Sequence, residues 1–508
     1  MLLENLLKEI SFFRFGNSYA AENIEITGIC SVSSRVEPGN LFIAIEGLHT
    51  DAHKFIPDAL RRGAAALVVS ESAIKDGRVR AEEYSLPILV FDDTRRAASH
   101  IYSAWHGYPQ RRLKLIGVTG TNGKTSVSRL IYEILNAADM PCGLIGTTGS
   151  RSHKRAIDIK PRDPRANMTT PDPEELYAIL SEMIGDGCEY AVMEVTSHAL
   201  SLSKVAPIIF ELSIFTNLSE DHLDFHGDMD SYFLAKARLF DLSLRAVINY
   251  DDRYGRILAD KIKIPISACS AEGREVDRAA EDVHILGERG IEYKLTSRDL
   301  RLRVRSPLSG SFNVMNTMQA AVAAYMLGAD AASIKEALAH FGGIGGRLER
   351  LKIRSSLDFS VFIDYAHTPD ALENLLRTAR SFAKSENRIV LLFGCGGDRE
   401  KQKRAMMGKI AVGMADHTVI TSDNSRSEEP SEIIRDILSG VGGCFGGTYT
   451  VIESRRDAIE YVIKNARRGD IILLAGKGHE EYEIDSLGVH PFSERAIVEE
   501  FVEKYYGR

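Results

Sequence analysis

Short apolar runs recur along the chain, and Gly or Pro punctuates the stretches between them. Leu41-Phe42-Ile43-Ala44-Ile45 and Ala66-Leu67-Val68-Val69 come first. Leu113 to Val118, Tyr190 to Val195 and Leu212 to Thr216 follow, then Ile389 to Phe393, Thr418 to Thr421 and Ile471 to Ala475. These runs are continuous rather than alternating, which is the pattern of strands buried on both faces of a parallel sheet. Between them lie helical stretches: Ser99 to Trp105, Ser126 to Ala138, Asp230 to Phe240 and the Ala-rich Asn316 to Leu327. Strands alternating with helices predict parallel sheets with crossover connections. The segment Ile285 to Val304 differs. It alternates charged and apolar residues and predicts strands with one wet face.

Three blocks separate on this pattern, expected as domains 1–97, 98–344 and 345–508. The third opens at Gly342-Gly343-Ile344-Gly345-Gly346, whose glycines predict a hinge. At roughly 150 residues per domain, a chain of 508 residues fits about three domains. Hydrophobic residues at 44% and charged residues at 26% allow each block a core of its own. The formal net charge is -8 with no basic segment, which argues against a nucleic-acid partner. The six cysteines are widely spaced and form no CxxC pair, so neither a zinc ribbon nor a disulfide framework is expected. Met1 to Gly16 is interrupted by Glu4, Lys8 and Glu9 and is not read as a signal peptide. No apolar run approaches the ~18 residues needed to span a bilayer. The expectation is a soluble, cytoplasmic protein without membrane insertion.

The strand at Leu113–Val118 runs into Gly120-Thr121-Asn122-Gly123-Lys124-Thr125-Ser126 and then a helix. A strand, glycine loop and helix bind phosphate because amide N–H groups converge on the positive end of the helix dipole, and a Lys can reach the phosphates. Thr125 stands where a Mg²⁺ ligand is expected. The strict loop pattern asks for Gly at 118, where the chain has Val118. Glu194 ends a second buried strand and faces the same crevice if the sheet is parallel. The cluster Asn217-Leu218-Ser219-Glu220-Asp221-His222-Leu223-Asp224-Phe225-His226-Gly227 follows a third strand, and its Asp, Glu and His residues suit metal or phosphate chemistry. By residue type alone, Glu194 reads more often as an ordinary strand end, this cluster as readily as a polar surface loop, and Lys236 as a cation on a solvated helix face.

Together these segments resemble the Mur ligase family. The matching stretches are Gly117 to Thr125, Met193 to Leu200, Thr216 to Asp224, Gly310-Ser311-Phe312-Asn313-Val314-Met315-Asn316, Gly346-Arg347-Leu348-Glu349-Arg350 and Asp364-Tyr365-Ala366-His367-Thr368-Pro369-Asp370. Ser33-Ser34-Arg35, Pro38-Gly39, Gly394-Cys395-Gly396-Gly397-Asp398-Arg399 and Gly476-Lys477-Gly478-His479-Glu480 resemble the members that add the third residue of the peptidoglycan stem peptide. The resemblance implies an α/β chain of three domains: a small N-terminal domain binding a UDP-sugar, a central P-loop ATPase-type domain with a parallel sheet, and a Rossmann-like doubly wound C-terminal domain binding an amino acid. It implies an ATP-dependent, ADP-forming ligase acting through an acyl phosphate, expected to be a monomer. Its partners would be UDP-N-acetylmuramoyl-L-alanyl-D-glutamate, ATP and a diamino acid.

The resemblance also implies residue roles. Gly120 through Ser126, with Asn316, Arg347 and Asp364, would bind ATP. Thr125, Glu194, His222 and Lys236 would serve Mg²⁺, with Lys236 carbamylated by CO2; Lys124, His222 and Lys236 would be catalytic. Val32, Ser34, His49, Thr169, Thr170, Ser197 and Lys204 would bind the UDP-muramoyl dipeptide. The family often has Asp where Ser33 stands and Arg where Lys204 stands. Arg399, Asp423, Asn424, Ser425, Arg426, Gly476 and Glu480 would bind the amino acid. The family signature for meso-diaminopimelate is Asp-Asn-Pro-Arg; here it reads Asp423-Asn424-Ser425-Arg426. A guanidinium can bind the second carboxylate of diaminopimelate bidentately, which favours that amino acid. Lysine or another diamino acid is the alternative, and a P-loop nucleotide-binding protein without ligase chemistry is the rival from another class.

Overall fold

The structure is a computed structural model, and it describes residues 1–18, 23–47, 50–159, 168–353, 357–442 and 447–507. Contacts divide the chain into two compact units. The first comprises Met1–Gly117, Met140–Ser213 and Ala235–Arg245; the second comprises Val118–Asp139, Ile214–Leu234 and Ala246–Arg508.

In the first unit, strands Gly28–Cys30, Asn40–Ile43, Ala66–Ser70 and Ile88–Phe91 pair in parallel, and Arg14–Phe15 adds an antiparallel edge. Every residue of Asn40–Ile43, Ala66–Ser70 and Ile88–Phe91 is buried, which explains their continuous apolar runs. The helix Thr94–Trp105 begins where the Asp93 carboxylate accepts from the Arg95 and Arg96 amides. Further along, Cys142–Gly146 runs parallel to Tyr190–Glu194 and antiparallel to the short strand Gly149–Arg151.

In the second unit, helix Lys124–Ala137 follows the glycine loop. Strands Ala246–Asn249, Ile266–Ser270 and Arg278–Ile285 pair in parallel, and Ile291–Thr296 and Arg301–Ser306 extend them antiparallel. Arg301–Ser306 alternates exposed and buried residues, as its sequence predicted. Helix Phe312–Leu327 starts a turn before the predicted Asn316.

A second sheet follows in the order Glu349–Arg350, Ser360–Asp364, Ile471–Ala475, Ile389–Phe393, His417–Ile420, Thr448–Val451, parallel except for the first strand. One face buries Leu372, Leu376, Met407, Ala411 and Ile437, from helices Pro369–Phe382, Gln402–Met414 and Pro430–Ser439. The other buries Ile459, Ile463, Val498 and Phe501, from Arg455–Lys464 and Glu494–Tyr506. Helices on both faces make this sheet doubly wound, and such sheets bind ligands outside the carboxyl ends of their strands. Asp364, Gly394–Arg399, Asp423–Arg426 and Gly476–Glu480 all lie at or beyond those ends.

Candidate active site

The glycine loop shows why the strict pattern is displaced. Val118 lies within a strand and is fully buried, so no glycine is needed there. Gly120 has φ 149, and a Cβ there would overlap Thr216 Oγ1. Only glycine combines that backbone angle with that approach. The loop is stapled to the segment after strand Leu212–Phe215: the Thr121 amide donates to Asn217 O at 2.9 Å, and the Asn122 amide to Asn217 Oδ1 at 2.9 Å. Lys124 Nζ donates back to Gly120 O at 2.9 Å and Thr121 O at 2.8 Å, which holds the ammonium inside the loop.

Beside the loop lies a cavity of about 440 Å³, wholly within the second unit. That size suits a small ligand or cofactor. Asn122, Gly123, Thr125, Ser126, Asn316, Arg347 and Asp364, all expected nucleotide contacts, line it. Arg347 donates to Thr125 Oγ1 at 3.3 Å, and its guanidinium stacks 4.6 Å from the Tyr365 ring centre. Asp364 accepts from the Leu348 amide at 2.6 Å and the Ala366 amide at 2.8 Å, while burial pushes its carboxyl upward. Val283, Ile285 and Phe312 expose large apolar side chains into the same space and form a wall suited to a flat base. Sequence reasoning missed Val283 and Ile285 because isolated apolar residues in a wet-faced strand carry no motif, and Phe312, though inside the stretch Gly310–Asn316, was given no role. It also missed Asp370, whose Oδ2 accepts from Asn122 Nδ2 at 2.7 Å.

His222 has φ 56, a left-handed conformation uncommon for a non-glycine residue. Its Nε2 stands 3.3 Å from Asp221 Oδ2. Asp221 is buried, which raises its pKa, but His222, His367, Lys403 and Lys124 together outweigh burial and hold it at about 2. Burial and Lys403 push His367 down to about 4, against the opposing pull of Asp221. Asp221 thus lies within electrostatic reach of Lys124, His222, His367 and Lys403, and of these five only Lys124 and His222 were expected site residues.

Beyond the second sheet, Asp423 is buried; Lys477 and Arg455 overcome the upward push of burial and keep it ionised. Asn424 donates to Glu480 Oε2 at 2.8 Å and accepts from Lys477 Nζ at 2.9 Å. Burial and Asp423 raise the Glu480 carboxyl. Arg426, with φ 53, donates to Gly397 O at 2.7 Å. Burial, and then Arg399, lower the proton affinity of Arg426. The two arginines flank Gly396, where an added Cβ would meet both Arg426 Nη1 and Arg399 Cγ. Ser425 is buried where the family signature has proline. Gly476 follows the strand Ile471–Ala475 and holds φ 116.

The remaining expected residues lie in the first unit. Glu194 is 1% exposed and accepts from the Thr147 amide at 2.9 Å and the Thr147 hydroxyl at 3.1 Å. Thr147 reaches Thr169 at 3.1 Å, and Thr170 donates to Glu194 O at 2.9 Å. Lys204 pairs with Asp172 at 2.9 Å. Ser197 opens the short helix Ser197–Ser201 and is fully buried. Val32 and Ser34 stand at and just inside the 3-10 turn Ser33–Arg35. His49 lies outside the described residues. Lys236, on helix Met229–Asp241, is 1% exposed, so the solvated-face reading of this residue is corrected: its helix face is packed inward. Among the described residues no group of three or more His, Cys, Asp or Glu is placed to hold a metal.

Three family models match in sequence order: the Mur ligase family catalytic domain over residues 25–106, the Mur ligase middle domain over 118–324 and the Mur ligase glutamate ligase domain over 346–478. A UDP-N-acetylmuramoyl-L-alanyl-D-glutamate--2,6-diaminopimelate ligase from Gloeobacter violaceus is 41% identical, over 96% of this chain and 96% of its own. The chain belongs to the Mur ligase family. A ligase of the same name from Caldanaerobacter subterraneus subsp. tengcongensis is 38% identical over 99% of both chains. A solved structure with that enzyme name superposes with a TM-score of 0.67 at 29% identity, covering 100% of this chain and 99% of the other. As a Mur ligase the chain is an ATP-dependent, ADP-forming peptide ligase with the family's three-domain architecture. Family members use ATP and Mg²⁺. No helix among the described residues is long and apolar enough to cross a membrane.

Proposed function

We propose that this Mur ligase adds meso-diaminopimelate to the D-glutamate γ-carboxylate of UDP-N-acetylmuramoyl-L-alanyl-D-glutamate, in peptidoglycan synthesis. The observation that carries the choice of amine is Arg426 and Arg399 packed together around Gly396, with Asn424 and Glu480 adjoining. Two guanidiniums suit the distal carboxylate of diaminopimelate, and the carboxylates of Glu480 and Asp423 suit its ammonium groups. Lysine has no distal carboxylate and would leave the arginines without one. Full-length identity to ligases of that name supports the same assignment.

In the first step a γ-carboxylate oxygen attacks the γ-phosphorus of ATP, ADP departs and an acyl phosphate forms. The free amine then attacks the acyl carbon, loses a proton, and phosphate leaves as the amide closes. The loop Gly120–Ser126, with Asn316, Arg347 and Asp364, holds the nucleotide, and Lys124 offsets charge on the transferring phosphoryl group. Val32, Ser34, His49, Thr169, Thr170, Ser197 and Lys204 hold the UDP-muramoyl dipeptide. Arg399, Asp423, Asn424, Ser425, Arg426, Gly476 and Glu480 hold the amino acid.

Thr125, Glu194, His222 and Lys236 would serve Mg²⁺, Lys236 as its carbamate. The Thr125 hydroxyl, the Glu194 carboxylate and a Lys236 carbamate would offer the hard oxygens this cation prefers, while His222 would offer a softer nitrogen; Glu194 and Lys236 are both buried. Bound Mg²⁺ supplies charge compensation on the phosphates. The working domains are 1–97, 98–344 and 345–508, and the enzyme acts as a cytoplasmic monomer. Phosphate release from ATP is measured with the UDP-muramoyl dipeptide and a panel of amino acids. Release dependent on meso-diaminopimelate is expected. Release driven better by lysine, or release without any amino acid, would overturn the reading.

A further inference from the structure

We propose that Arg404, Glu428, Asp398 and Ser427 form a clasp that positions Arg426 and Arg399 on the distal carboxylate of the incoming diamino acid. This rests on the amino-acid site proposed above and extends it to residues that do not touch the ligand. Two loops carry the arginines, one after strand Ile389–Phe393 and one after strand His417–Ile420. Each contains a non-glycine residue in the left-handed region, Asp398 at φ 51 and Arg426 at φ 53. Such conformations persist only where the surroundings over-determine them, and they cluster at ligand clamps.

The surroundings here are specific. The Gly397 amide donates to Asn424 O at 2.9 Å, and a Cβ on Gly397 would overlap Ser425 O, so the loops meet backbone to backbone. Ser427 donates its hydroxyl to Asp398 Oδ1 at 2.6 Å and its amide to Asp398 Oδ2 at 3.2 Å. In return the Asp398 amide donates to Glu428 Oε1 at 2.7 Å. Arg404 lies fully buried behind this exchange. Its guanidinium grips both oxygens of Glu428, at 2.8 and 3.0 Å, and also bonds Asp436 at 2.9 Å and Gly396 O at 3.2 Å. One planar fork therefore fixes both loops, a task a lysine cannot perform.

The clasp answers a mechanical need. Arg426 and Arg399 are like charges that both pack around Gly396, and left to themselves they would swing apart. Ser425 replaces the proline that would otherwise stiffen the chain before Arg426. The interlocked carboxylates and the buried fork supply that stiffness instead.

The test compares Ser427→Ala, Ser427→Thr and Arg404→Gln with the wild type in full steady-state kinetics and thermal melts. Ser427 is exposed, so its variants should fold even if Arg404→Gln does not. Ser427→Ala should raise KM for meso-diaminopimelate about five-fold, the equivalent of one hydrogen bond, with KM for ATP unchanged. Its preference for diaminopimelate over lysine should narrow by the same factor. Ser427→Thr keeps the hydroxyl and should restore wild-type values. An unchanged KM for diaminopimelate in Ser427→Ala, or equal changes in KM for diaminopimelate and ATP, would overturn the clasp. A wild type that prefers lysine would instead overturn the amino-acid assignment beneath it.

Discussion

Lys236 has 1% of its surface exposed, on a helix whose outer positions carry Asp230 and Arg238. The proposed carbamate is compatible with that burial, because it would trade an ammonium for an anion that a hard cation can hold. Lys236→Ala should therefore lose nearly all activity, and short carboxylates should restore part of it. Full activity without rescue would refute the carbamate. At Arg426 the expectation is selective: Arg426→Ala should lower kcat/KM for diaminopimelate by roughly 10- to 100-fold, the worth of a charged hydrogen-bonding group. Its effect on lysine use should be much smaller, and equal losses in competition assays would count against a carboxylate contact.

Among the elements, the glycine segment at 342–346 shows how a local feature acquires a second role. Its sequence predicted a hinge. Gly346 in fact has φ 71, and a Cβ there would overlap the backbone of Gly478 and His479. Its glycine is required by close packing onto the loop that carries Glu480. Gly346→Ala should cost about 2 kcal/mol or more of stability, combining left-handed strain with a backbone clash. Denaturant melts check this, and a change under 0.5 kcal/mol, the usual range for an unconstrained surface site, would show that the loop yields freely. The strands were legible because parallel sheets bury both faces, so their apolar runs need no partner to be read. Helix Phe312–Leu327 was read a turn short. It is buried nearly all round from Asn313 to Ala324, and a helix without a wet side carries no amphipathic signal at its start.

For the whole molecule, folding couples to pH through His367. Burial holds it at about 4, below its ordinary 6.5. The unfolded chain thus binds the proton more readily than the folded one. This group's contribution is fully present above pH 6.5 and is lost as pH falls toward 4. Denaturant midpoints should decline over that window, and His367→Gln should flatten the decline; an identical pH profile in the variant would refute the assignment.

The order of strands and helices, the phosphate loop and the family motifs were all present in the chain by itself, because each depends on residues adjacent in sequence. Whether Lys236 faces water, which glycine the loop requires, the bond between Asp370 and Asn122, and the influence of His367, Lys403 and Lys124 on Asp221 were decided only by tertiary structure. So was the grip of Arg404 on the two loops that carry Arg399 and Arg426. Those outcomes depend on burial and on side chains brought together from distant segments, and no spacing along the chain encodes either.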